Sequence, residues 1–137
     1  MFENPTDAAI RAILTSHRTI AVVGCSPKLY RDSNMIAQLL MRRGHHVIPV
    51  NPGHRQILDQ PCYPDLLSIP EPVEMVDVFR RSEFVPEIAD QAIRIGAKIL
   101  WTQLGVYHEE TAVKAQAAGL IVVMNRCPAI EYRRLGL

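Results

Sequence analysis

The chain alternates short β-branched apolar runs with longer stretches whose apolar residues recur every three or four positions. Thr19 to Val23, His46 to Asn51, Met75 to Phe79, Lys98 to Leu104 and Leu120 to Asn125 are the short runs, and each reads as a strand. Pro49 interrupts the second of them, and a proline cannot donate to a central ladder. Between the runs lie helical patterns. Ile36, Leu39 and Leu40 share one face after Asp32 or Ser33, either of which can cap a helix that stops at Gly44. Val85, Ile88, Ala89, Ala92 and Ile93 repeat at helical spacing, with Pro86 in the first turn and Gly96 past the end. His108 to Ala118 has helical propensity, with Glu109 and Glu110 at its positive end and Gly119 closing it.

Weaker patterns complete the chain. Thr6 and Asp7 precede Ala9, Ile10, Ile13 and Leu14, which predicts a short N-terminal helix over 6–17. Gln60 to Tyr63 reads as a brief edge strand, and Asp65 to Ile69 as a helical turn. Residues 126–137 fold back as a short tail helix through Ile130, Tyr132 and Leu135.

Strands alternating with helices predict a doubly wound α/β fold, a parallel sheet of about five strands with helices on both faces. Near-continuous apolar strands agree, because strands covered on both sides do not alternate. In such a sheet ligands bind beyond the carboxyl ends of the strands, where strand order reverses. The residues of interest are therefore 24–31, 51–55, 80–83, 103–107 and 126–128.

Length and charge narrow the classes. The 137 residues suit one domain with a real core, spanning 1–137 with its central unit over 19–125. A net charge of +1, from 15 basic and 14 acidic residues, supplies no global field for nucleic acid or an anionic membrane. Cys25, Cys62 and Cys127 are odd in number and contain no CxxC pair, so neither a disulfide framework nor a zinc site is indicated. Reduced cysteines and the absence of a signal-like N-terminus point to a cytoplasmic protein.

The first strand ends in Gly24-Cys25-Ser26-Pro27, and a helix follows. Strand, glycine turn and helix N-terminus form a phosphate-binding unit, because the first N–H groups of a helix have no partner within it. One glycine stands where a dinucleotide fingerprint has three, and Val50-Asn51-Pro52-Gly53 lacks the acid that would hold a ribose of NAD. Lys28, Arg31, Arg55, Arg80 and Arg81 recur at strand ends, a set suited to a ligand with several phosphates. NADP satisfies that set nearly as well as coenzyme A.

Five blocks in order carry a specific resemblance. They are Val23 to Pro27 with Arg31 and Ser33, Ile48 to Pro52, Val76 to Arg81, Trp101 to Gly105, and Asn125 to Cys127. The chain resembles the small single-domain CoA-binding proteins of bacteria, whose Rossmann-like domain also occurs in succinyl-CoA synthetase α chains and related acyl-CoA synthetases. The resemblance implies that CoA phosphates lie at Gly24, Ser26, Pro27 and Arg31, with Ser33 at the helix start and Cys25 in the same turn. It implies that Val50, Asn51 and Pro52 flank the adenosine, and that Phe79 and Arg80, with Arg81, line the groove for pantetheine or phosphates. Two departures stand out. A small residue is common in the family where this chain has Cys25, and Met-Lys-Ile-Glu-His is usual where it reads Pro128-Ala129-Ile130-Glu131-Tyr132.

A cysteine near a helix N-terminus can gain nucleophilicity, which raises covalent chemistry at Cys25 or Cys127. None of the five histidines lies in a pattern assignable as a base for either. The leading reading is a CoA or acyl-CoA binding module without catalysis of its own, with a protein partner or homo-oligomer left open. The alternatives are a small NADP-dependent oxidoreductase, against which stand the single glycine and the lack of a Tyr/Lys pair in one helix, and an interaction protein that has lost its ligand.

Overall fold

The computed structural model describes all residues, 1–137. Five strands form one parallel sheet: β1 (Thr19–Val23), β2 (His46–Val50), β5 (Met75–Val78), β6 (Ile99–Thr102) and β7 (Ile121–Val123). A two-residue hairpin, β3 (Gln56–Ile57) and β4 (Gln60–Pro61), stands apart. The order across the sheet is β2-β1-β5-β6-β7, so the chain reverses direction between β1 and β5. That is the switch point at which a crevice opens above the sheet.

Helices α1 (Asp7–Thr15), α2 (Asp32–Arg42) and α5 (Pro128–Arg134) cover one face. On that side Ile10, Ile13, Ile36 and Leu40 pack on Ile20, Val22, Met75 and Trp101. Helices α3 (Val85–Arg94) and α4 (Glu109–Ala117) cover the other, where Ile88, Ala92 and Ala112 meet Ala21, Val76, Leu100 and Val122. Both sheet faces are therefore covered, which accounts for the near-continuous apolar strands. The doubly wound α/β architecture expected from the pattern is the one observed. No helix is long and apolar enough to cross a membrane.

Several boundaries differ from the sequence pattern for local reasons. Pro49 lies inside β2, and the strand tolerates it because β2 is at the sheet edge. Outside it the chain returns through a lone parallel bridge between Val50 and Tyr63. The expected edge strand from Gln60 is reduced to its first two residues, paired with Gln56–Ile57 across a turn in which Leu58 and Asp59 have φ of 54° and 59°. The stretch after Asp65 forms a single 3₁₀ turn, Leu66–Ser68, capped by the Asp65 carboxylate, which accepts from Ser68 N–H at 2.8 Å. Neither Asp32 nor Ser33 caps α2. Asp32 is already helical, Arg31 occupies the cap position without a side-chain bond, and the Ser33 hydroxyl is engaged elsewhere. His108 is the cap of α4, with its Nδ1 accepting from Thr111 N–H at 3.3 Å.

Candidate functional site

Gly24 is the hinge of the site. It leaves β1 with φ of 85°, and a Cβ there would stand 2.7 Å from the Phe79 carbonyl oxygen and 3.1 Å from Arg80 Cδ. Glycine is thus required twice, for the left-handed backbone and for the close approach of the loop after β5. The Gly24 and Cys25 N–H groups both donate to the Val50 carbonyl, at 2.9 and 3.3 Å. Asn51 Nδ2 donates to the Cys25 carbonyl at 2.9 Å, and its Oδ1 accepts from Gly53 N–H. These bonds tie the ends of β1 and β2 together.

The loop then turns back onto α2. Ser26 N–H donates to Ser33 Oγ at 2.9 Å, Asn34 Nδ2 donates to the Ser26 carbonyl at 2.8 Å, and Lys28 N–H donates to Ser26 Oγ at 3.1 Å. Each serine oxygen thereby accepts one bond, and the hydroxyl hydrogen of each remains to donate to an anionic ligand. The uncapped first turn of α2 supplies further donors in its backbone N–H groups.

A cavity of about 580 Å³ opens over this loop, lined by Gly24, Ser26, Lys28, Tyr30, Arg31, Asp32, Ser33 and Phe79. It continues into a second of about 480 Å³, which shares Asp32 and Phe79 and adds Arg80, Arg81, Ser82, Gln103, Leu104, Gly105 and Val106. On the α3 side a smaller hollow of about 120 Å³ lies between Val23, Val50, Leu66, Arg80, Phe84 and Ile88. Arg80 borders both the second cavity and this hollow.

Charge is concentrated along the same line. Lys28, Arg31 and Arg80 make no ion pair within the protein, whereas exposed Arg81 is held by Glu83 at 3.1 Å. The Arg80 guanidinium lies 4.2 Å from the centre of the Phe84 ring, a stacking that leaves its edge free to donate. Asp32 is the one acid lining the two larger cavities, so an anion is driven toward Lys28 and the arginines and away from its carboxylate.

Of the residues singled out from the sequence, Gly24, Ser26, Arg31, Ser33 and Phe79 border the first cavity, Arg80 and Arg81 the second, and Val50 the hollow. Four do not line any of them. Cys25 is 0 % exposed, packed beneath the loop, with burial as the main cause of a thiol pKa pushed up to about 12. Burial thus favours the protonated thiol, the reverse of the activation that a helix N-terminus would give. Asn51 braces the turn through the bonds above, while Pro27 and Pro52 are exposed on its outside. Arg55 likewise lies outside all three spaces. Gln103 and Leu104 carry no sequence signal beyond their place at a strand end, and Phe84 none beyond its place before a helix.

Similarity to known proteins follows this geometry. Residues 18–133 match the CoA binding domain family. The chain belongs to that family. It is 35% identical over 130 residues to the uncharacterized protein YneT of Bacillus subtilis, covering 95% of this chain and 96% of that one. It is 35% identical over 77 residues to acetate–CoA ligase [ADP-forming] I of Archaeoglobus fulgidus, where the match spans 56% of this chain and 11% of the ligase. A solved structure of a hypothetical protein from Pyrococcus horikoshii superimposes with a TM-score of 0.91 at 43% identity, each chain covered over 100% of its length.

Proposed function

We propose that this family member binds coenzyme A or an acyl-CoA in the groove at the switch point, and that it performs no catalysis of its own. The observation that carries the reading is the run of three unpaired cations, Lys28, Arg31 and Arg80, along cavities that open directly over the N-terminus of α2. A ligand with a diphosphate and a further ribose phosphate complements that arrangement, since guanidinium groups bind phosphate through paired hydrogen bonds. The diphosphate belongs over Ser26, Arg31 and Ser33, with the adenosine toward Val50 and the hollow on the α3 side. Pantetheine then runs past Phe79 and Arg80 into the second cavity. A chain built this way serves as a carrier or sensor of CoA, acting through a partner or as a homo-oligomer in the cytoplasm.

Calorimetric titration with CoA, dephospho-CoA and NADP tests the reading. CoA binds, and dephospho-CoA binds more weakly because it lacks the ribose phosphate. Binding of NADP without CoA would replace this reading by the NADP-dependent oxidoreductase.

A further inference from the structure

A further chamber, of about 220 Å³, adjoins the second cavity and shares Asp32, Gln103 and Leu104 with it. Its remaining walls are Met35, Ile36 and Cys127, so it is mostly apolar and carries no basic residue. Met35 and Leu104 are 52% and 51% exposed, and neither is needed to fill the cores on the two sheet faces. The Oε1 of Gln103, at the join, is buried and has no hydrogen-bond partner. A buried amide oxygen left alone is costly, and a turn of the Gln103 side chain toward the groove would let it accept from an N–H group of a ligand.

These features lie in sequence along one groove: cations, then an unpartnered amide, then an apolar end. An acyl-CoA has the same order, with phosphates, the two amides of pantetheine and a thioester tail. Resting on the CoA reading above, we infer that the bound species is an acyl-CoA and that this chamber takes its acyl group. The volume suits a short chain of roughly two to six carbons, judged at about 30 Å³ per water-sized unit. Asp32 is the only charged group in the walls, so an acyl group ending in a carboxylate is repelled. The class is therefore a short, uncharged acyl group.

The affinities of the full chain for CoA, butyryl-CoA and succinyl-CoA, measured by calorimetry, test this. Butyryl-CoA binds about tenfold more tightly than CoA, as partial burial of three or four carbons implies. Succinyl-CoA gains no such advantage. In Met35→Trp, whose larger side chain starts from an exposed position and fills the chamber, the ratio of butyryl-CoA to CoA affinity falls to about one. If CoA binds and butyryl-CoA binds no better, or succinyl-CoA binds best, the chamber is not an acyl site while the CoA reading stands. If no CoA species binds, both fall together.

Discussion

At the scale of single residues, Gly24 and Cys25 show how neighbours in one turn divide structural duties. Gly24 allows two strand ends to touch, because its left-handed backbone brings the space a Cβ would fill against the Phe79 carbonyl. Cys25 fills the core below, and its buried thiol is held neutral. Gly24→Ala is expected to destabilise the protein by about 1 to 3 kcal/mol from the backbone conformation alone, with the clash against Phe79 added. Urea denaturation of the variant measures this, and a midpoint equal to that of the parent would show that the loop relaxes freely. The glycine was legible in the sequence as the end of a strand. Its contact with Phe79 was not, since the two lie on strands far apart in the chain that only the sheet brings together.

At the scale of elements, the helix α2 and its entry loop gather unpaired cations and unused backbone donors at one end of the sheet. Arg31 at the cap position offers no acceptor, so the helix's first N–H groups and positive dipole end remain available beside the Arg31 side chain. Ser26 and Ser33 set the shape of the loop through their oxygens and keep their hydroxyl hydrogens to donate to an anion. Arg31→Ala is therefore expected to weaken CoA binding by about 1.5 to 3 kcal/mol, the range for a hydrogen bond to a charged group. Calorimetry at fixed ionic strength reads the change, and an unaltered affinity would remove Arg31 from the site. The capping role expected of Asp32 or Ser33 is not filled because the helix already begins at Asp32, which puts both residues inside its first turn, and the Ser33 oxygen accepts from Ser26 N–H instead.

At the scale of the whole molecule, the central strand β5 contains a carboxyl group that the fold does not satisfy. Asp77 is 0 % exposed between Val22 and Trp101, and neither of its oxygens has a hydrogen-bond partner. Burial pushes its pKa up from 3.8 to about 8. Across that window the unfolded chain has released this proton while the folded protein retains it. Stability contributed by Asp77 therefore falls as pH rises, by at most about 1.4 kcal/mol per pH unit, and levels off above the folded-state value. Asp77→Asn is expected to flatten the pH dependence of thermal unfolding and to raise Tm relative to the parent at pH 8. A parallel fall of Tm with pH in both proteins would show that Asp77 is not the group responsible.

The sequence by itself determined the class of the molecule, because periods of two and of three to four residues follow from backbone geometry and need no tertiary information. It also pointed to one rim of the sheet for a site, since alternating strands and helices put every loop of interest at the carboxyl ends of the strands. The tertiary structure decided which of those loops meet. Strand order placed the ends of β1 and β5 side by side, brought Arg80 toward the Gly24 turn, and opened a groove past Gln103 to Met35 and Cys127. It also decided that Pro49 could remain in a strand and that Cys25 would be buried beneath the loop. Neighbours across a sheet and the depth of a side chain in a core are set by long-range packing, and no local pattern along the chain encodes them.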